Sequence, residues 1–535
     1  MSADMQFHMR RVLELKDSIV HWNFFPKFSF NYFHGSANLL MYPYLNIYIL
    51  AVLSFTINNI VFAIYFYFML LILGTLFVSY YSSLKISRNV YVSYLFAVIY
   101  SVSITFMSLS VVEMGLGTTT VIMFLPLVFF GVIDFIDNDN IFMVTTGMIF
   151  ILYSHVLSVF ISLLMIISML IAYKVKMNKE KIKKIILSCF IVAITTIPTW
   201  GFTGYFLINN WDNIYPPFQN NLRGYNLGSL LSTVFGLNTN YLISIFSLFG
   251  LTLSIFFIKK TDKKTRILVY LSWIYIFIGS SLFPWWITDH GILKFVEIFQ
   301  FTWRFSIISN LILSYLFAWY INKIFKNSLL KKSVIIFITL MSVSSVIIFE
   351  MNFLNKTSSN PYFNNNYVKH HDFNEKVFIN GNNLYYFLNI KGNNNFKNFI
   401  EEYNNITNGD YTPSKDYVFF DDVNKNMIKT AVSGKRISTL SRVGYNTFSF
   451  KLNSGYKKIV LPVYYYRNEH IKILLDNKIV KYKVYNNRIA IIRISKGIHK
   501  VKIVNNELIQ IIMELINLFS ILIGFTLILM LFFKE

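Results

Sequence analysis

Charge is scarce in this chain. Only 14% of its 535 residues are Asp, Glu, Lys or Arg, against about 25% in ordinary soluble domains. A soluble fold of this length needs a charged surface that so few residues do not build. That excludes a soluble globular enzyme. Cysteine is scarcer still: Cys189 stands alone, cannot close an internal bridge, and excludes a disulfide scaffold. The chain also has no P-loop, no paired CxxC, no HExxH and no nucleophile elbow. Those absences argue against an ATPase, a metalloprotease or an α/β-hydrolase. Ala, Gly and Pro are poor relative to Phe, Ile, Asn, Lys and Tyr. This bias resembles the drift of an AT-rich genome, so Asn-rich stretches are not read as signs of function.

Apolar sequence, by contrast, is abundant. Hydrophobic residues make up 55% and aromatics 18%, far too many for a disordered chain. They arrive in uncharged blocks of about 16–24 residues, long enough to cross a hydrocarbon core. The fold class is an α-helical polytopic membrane protein, with the lipid bilayer as its first partner. Spans are expected near 60–81, 90–108, 120–136, 140–154, 156–173, 185–208, 241–258, 267–283, 304–322, 332–350 and 509–532, about 11 in all. With that count the basic loops at Lys85/Arg88, Lys174–Lys184, Lys259–Arg266 and Lys323–Lys332 fall on one side, which the positive-inside rule makes cytoplasmic. The acidic loop Asp137–Asn140 falls there too, a mild exception. The run 42–57, bounded by Pro43 and Asn58-Asn59, is read as re-entrant, interfacial or an extended part of the next helix. Residues 1–41 would then lie outside with no leading span to carry them across. A missing N-terminal transmembrane helix is the expected explanation; retention of the segment inside is the alternative.

The net charge of +23 invites a nucleic-acid reading. No basic run is interleaved with stacking aromatics, so nucleic acid is not an expected partner. The charge has another home. Residues 351–508 carry 19 Lys and 5 Arg against 6 Asp and 5 Glu, a net +13, and long domains translocate largely regardless of charge. Over half of the net charge would then face outward, toward anionic wall polymers or lipid headgroups. Three parts are expected: a transmembrane domain over 1–350, an extracytoplasmic β-rich domain over 351–508, and a C-terminal helix over 509–535. Alternating segments at 445–452, 457–466, 470–476, 479–485, 488–494 and 499–504 read as strands. Asp476-Asn477 and Asn486-Asn487 read as hairpin turns, making 441–508 β-sandwich-like. Such a domain could bind carbohydrate or serve as a structural cap.

Ionisable residues at the outer face are the candidates for chemistry. Asp4 opens the pattern Asp4-x-x-Phe7-His8-x-x-Arg11, which runs into a helix. A carboxylate there could be a general base or hold a divalent cation, or simply favour the positive end of the helix. Glu113 is the sole acid of the second outer loop, beside glycines that let backbone approach a ligand. It could equally be a solvated loop acid. His155 lies at a turn between two short spans, where an imidazole is expensive unless packing satisfies it. Arg304 enters a span beside Trp303. Its fork matches phosphate oxygens, or it snorkels to the headgroups. Gln300, with Asp289 or His290, could line the same pocket.

Together these motifs resemble the bacterial multi-spanning membrane proteins labelled "6-pyruvoyl-tetrahydropterin synthase-related", close to the YfhO-like proteins. The resemblance rests on Asp4/Phe7/His8 with Arg11, on Tyr42-Pro43, Leu125-Pro126-Leu127 and Ser154-His155, and on Gln300-Phe301-Thr302-Trp303-Arg304-Phe305. Pro462-Val463-Tyr464-Tyr465-Tyr466 and Lys496-Gly497-Ile498-His499 resemble the family's outer domain. Thr302 stands where the family has Pro, and the family's first helix has no counterpart here. The resemblance implies a GT-C-like glycosyltransferase fold at the plasma membrane. It implies a polyprenyl-phosphate sugar donor and an extracytoplasmic glycan or protein acceptor. Asp4 would be base or ligand of a possible Mg or Mn, and Glu113 would assist. His8, Arg11, His155, Gln300 and Arg304 would contact substrate or lipid phosphate. A flippase for a lipid-linked saccharide, which would show inverted repeats and helices broken at the midplane, is the competing reading; a non-catalytic scaffold is the third.

Overall fold

The computed structural model describes residues 3–211, 223–226, 228–229, 243–288, 296–297, 299–359, 368–369, 376–380, 383–387, 427–430, 434–467, 471–505 and 507–533. An opening helix, α1 (Ala3–Val20), is followed by a short helix, α2 (Leu45–Thr56). The helical bundle comprises α3 (Ile60–Ser87), α4 (Val90–Ser101), α5 (Leu116–Asn138), α6 (Phe142–Leu152), α7 (Val156–Ala172), α8 (Lys179–Thr195) and α9 (Ile197–Asn210). It continues with α10 (Ile245–Phe257), α11 (Lys263–Gly279), α12 (Trp303–Ile324) and α13 (Ser328–Ser359), and ends with α14 (Glu507–Phe533).

Helix covers most of the described part of each of the 11 expected apolar blocks, but length separates them. Among the described residues, 6 helices are long and apolar enough to cross a bilayer: α3, α4 with its extension to Val111, α5, α12, α13 and α14. The pair α8–α9, bent by 76°, would make a seventh. The shortfall has a simple cause. A bilayer core of ~30 Å needs ~20 helical residues at ~1.5 Å each, and α6 has 11. Residues 42–57 are not an extension of the next helix. Asn59 breaks the chain there and caps α3, its side chain accepting the Val61 and Phe62 amides.

Printed contacts sort the helix ends into two groups. At one end Lys85 faces Asp134, Lys181 bonds Asp139 at 2.6 Å, Lys264 bonds Asp137 at 2.6 Å, and Lys184 donates to the Asp139 carbonyl. The acidic loop that broke the charge rule anchors two basic loops, through Asp139 and Asp137, and Asp134 one turn earlier in α5 faces a third. At the other end of α5, Gly117 packs on Tyr42 and His155. Gly131 and Gly147 let α5 and α6 approach closely, since a Cβ at 147 would sit 2.7 Å from Val128 Cγ2. Small residues set helix contact distance where lipid offers no hydrophobic contrast. Phe96, Phe130 and Tyr315 pack edge to face at 5.1–5.9 Å around the buried α12.

The β domain holds two five-stranded antiparallel sheets. One joins β10 (Lys478–Val480), β9 (Ile471–Leu475), β13 (Gly497–Asn505), β7 (Thr447–Leu452) and β6 (Ser441–Gly444). The other joins β11 (Tyr482–Tyr485), β12 (Arg488–Ile494), β8 (Tyr456–Tyr464), β4 (Met427–Thr430) and β5 (Arg436–Thr439). Alternate residues of both, including Phe448, Phe450, Ile473 and Val501 against Ile459, Leu461 and Ile489, share one core. A three-stranded sheet, β1–β3 over 368–387, precedes them. Phe28, Phe30 and Phe206 complete the sandwich core from the segment after α1 and from α9.

Candidate functional site

The site begins on α1, whose inward face is polar. His8, Arg10, Arg11 and Glu14 are each 2% exposed or less. The Arg11 guanidinium meets His8 Nδ1 at 3.2 Å and donates to the Tyr42 and Pro43 carbonyls at 2.8 Å each. It also lies 4.5 Å from the centre of the Tyr42 ring, where a cation is attracted to the aromatic face. A guanidinium has no acceptor, so His8 Nδ1 carries the lone pair and its proton sits on Nε2. Burial, then the Arg11 and His155 charges, holds the His8 imidazole well below its usual range. His8 is a neutral donor.

Tyr42 is the hub. Its ring centre lies 5.5 Å from that of His8 and 5.6 Å from that of His155. Gly117, in the first turn of α5, leaves room for it: a Cβ there would stand 2.6 Å from Tyr42 Oη and 3.0 Å from the Ser154 carbonyl. His155 Nδ1 pairs with Ser158 Oγ at 2.8 Å, so the expectation of a satisfied packing histidine holds for that nitrogen. Burial, then the charge of Arg304, holds the His155 imidazole down to about 3. Arg304 itself is 6% exposed, donates to the Phe299 carbonyl at 2.6 Å and lies over the Phe301 and Trp303 rings.

Four of the expected residues, His8, Arg11, His155 and Arg304, therefore gather at the end of the bundle nearest the β domain. No family model, curated protein or solved structure matches the chain. The remaining expected residues are placed less centrally. Gln300 is half-buried with φ 64° in the turn before α12. Glu113 is half-buried four residues ahead of Gly117, its amide bonded to the Ser108 carbonyl. Asp4 stands in the first turn of α1, one turn before His8; its side chain, with Asp289 and His290, lies outside the described residues. No three His, Cys, Asp or Glu side chains converge on a metal position among the described residues.

Glu14 was not singled out from sequence, yet it ties this site to the β domain. Its carboxylate accepts from the Asn31 amide at 3.1 Å and the Asn31 side chain at 2.8 Å. Asn31 Oδ1 in turn accepts the Asn446 amide at 2.8 Å. One turn further along α1, Asp17 pairs with Arg442 and Ser18 accepts from Tyr445 Oη at 3.3 Å. The signal available in sequence was the spacing of Arg10, Glu14 and Ser18, four residues apart and so on one helix face.

Proposed function

We propose that the protein is a plasma-membrane glycosyltransferase, moving a sugar from a polyprenyl-phosphate donor to an extracytoplasmic cell-wall polymer, glycolipid or protein. One observation supports it most: two buried arginines, Arg11 and Arg304, gathered with the neutral imidazoles of His8 and His155 at the β-domain end of the bundle. The head of a lipid carrier is an anion that must sit at the edge of the hydrocarbon core. Buried cations with a fixed neutral donor are the groups that would receive it. In this reading the six long helices and the bent α8–α9 pair cross the membrane, while the shorter α6–α7 and α10–α11 enter and return as pairs, which keeps the same sidedness for every loop. The β domain is extracytoplasmic, and the lysine-anchored acidic loop faces the cytoplasm.

The chemistry comes from the family resemblance. Asp4 takes the proton of an acceptor hydroxyl, and the acceptor oxygen bonds to the sugar's anomeric carbon. The bond from that carbon to the phosphate oxygen breaks, with inversion. The polyprenyl phosphate leaves with the electron pair, its charge held in the field of Arg304 and Arg11. Glu113 assists from the loop before α5. A flippase is less well supported. The bend between α8 and α9 lies beside Tyr153, whose hydroxyl donates to the Thr195 carbonyl, close to the His155 end and away from the midplane. Beyond it, α9 joins the β-domain core through Phe206.

Asp4→Ala and Arg304→Ala, compared at equal expression, test the transferase. Both should abolish transfer to the surface glycan. An intact glycan profile in both variants would refute this function. Accumulation of the donor on the cytoplasmic face would favour the flippase.

A further inference from the structure

The β domain shows a strong imbalance of charge. Residues 434–505 contain 16 Lys and Arg but only Glu469 and Asp476 as acids. The two sheets present this charge differently. On the sheet containing β8, outward-facing Val460, Ala490 and Arg488 are buried, so part of that face is covered, although Lys483, Tyr485 and Ile492 on it are exposed. On the sheet containing β13, the outward residues are open. Lys451, Lys472, Lys500 and Lys502 are all exposed, and they share one face by strand alternation. Phe450, Ile473, Val501 and Ile503, which point the other way, are core.

Strand register turns these four lysines into one patch. Lys500 pairs with Ser449 and Lys502 with Thr447, while Ile498 pairs with Lys451 and Val504 with Lys472. Alternate residues on a strand are ~7 Å apart and neighbouring strands ~4.8 Å apart. The lysines therefore spread over three adjacent strands at spacings of that scale. The one described acid in this sheet and its turns, Asp476, is engaged by His499 Nδ1 and by the Lys500 amide, both at 2.8 Å. Its charge is partly committed away from the face. At the edge of the same sheet, Arg442 of β6 pairs with Phe448 and so faces the other way, where it bonds Asp17 of α1.

We propose that this sheet face binds a linear polyanionic glycan, one bearing phosphate or carboxylate at nearly every repeat. It rests on the glycosyltransferase reading in taking that polymer as the acceptor; the binding itself does not depend on transfer. Charge complementarity is the argument. A row of cations at regular short spacing, with no free acid among them, matches a chain of regularly spaced anions and gives a neutral glycan nothing to choose.

The test uses the full chain in nanodiscs of phosphatidylcholine, with a glycerol-phosphate polymer as probe and neutral dextran as control. The polymer should bind and dextran should not. Replacing Lys451, Lys472, Lys500 and Lys502 by Gln together should weaken binding by about tenfold or more at low salt, with the difference fading as salt screens it. A matched replacement of Lys435, Lys457, Lys483 and Arg493, which are exposed elsewhere in the domain, should change it by less than about twofold. Single Lys→Gln variants with unaltered melting guard against a folding defect and should each weaken binding measurably. Equal loss in both multiple variants, or full binding by the patch variant, would overturn the proposal. So would failure of the polymer to bind while the protein clusters vesicles of anionic lipid, which would make the patch a membrane contact. Polymer binding that survives in a protein with no transfer activity would leave this proposal standing and remove the glycosyltransferase instead.

Discussion

Individual residues at the cluster have distinct physical duties, and substitutions separate them. Arg11 is held by a ring nitrogen and two carbonyls, an arrangement that needs a planar fork. Arg11→Lys keeps the charge but loses the fork. It should lower transfer nearly as far as Arg11→Ala, by at least about tenfold, because one bidentate anchor is worth more than ~1.4 kcal/mol; initial rates in vesicles check this. Gly117 is the second residue to try. The Cβ of Gly117→Ala would press on Tyr42 Oη and the Ser154 carbonyl, and overpacking of this kind costs ~1–3 kcal/mol. Transfer should fall while Gly204→Ala, where a Cβ would meet nothing within 4 Å, leaves it unchanged. His8, His155 and Arg304 were legible as candidates because a charged or imidazole side chain in so apolar a chain needs a reason. Tyr42 as their hub was not legible. Beyond its place in the Tyr42-Pro43 pair of the resemblance, one of 35 tyrosines gives no sign of that role until the fold sets it between two histidines.

Elements built on local rules were easier to read. The strands of the β domain follow from alternation. Both expected hairpin turns have the two left-handed residues that the type I′ geometry demands, at Asp476 and Asn477 (φ 50° and 65°) and at Asn486 and Asn487 (φ 49° and 54°). Spans were harder, because hydropathy records an apolar block without recording how many of its residues stay in one straight helix. Two element-scale predictions follow from the clasp at the first of those turns and from the α1 junction. Burial pushes the Asp476 carboxyl up, but the His499 and Lys500 bonds outweigh it and leave it below its usual range. A carboxylate with a lowered folded value adds stability above the unfolded value near 3.9, lost as pH falls through the folded one. Melting of the full chain should therefore drop more steeply below about pH 4 in the parent than in Asp476→Asn, which has lost that contribution at every pH. At the junction, the Asp17–Arg442 pair is partly exposed, at 27% on each side. Asp17→Asn should cost at most ~1 kcal/mol. Glu14→Ala, which strands Asn31, should cost ~1–3 kcal/mol and lower transfer as well.

The whole molecule is polarised. Lysine–aspartate pairs tie helix ends at one pole, and the cationic cluster, α9 and the β sandwich occupy the other. Thiol labelling checks the assignment of sides. With Cys189 replaced by Ser, an impermeant maleimide should label Lys500→Cys in intact cells and Lys183→Cys only after permeabilisation. The reverse pattern would invert the proposed topology. The junction between α1 and the sandwich also has a consequence in time. Arg442 and Asp17 are 425 residues apart in the chain, a stretch that takes roughly 20–85 s to synthesise at ~5–20 residues per second. The cluster's first helix emerges at the start of translation and the strands that clamp it emerge near the end. Until then Arg11 and Glu14 meet the nearby chain, at Tyr42, Pro43 and Asn31, while Asp17 and Ser18 await the sandwich. Pulse-labelled chains should acquire full protease resistance around α1 only after the last sheet is complete, so that a ribosome stalled within β12 holds a bundle whose first helix is not yet clamped.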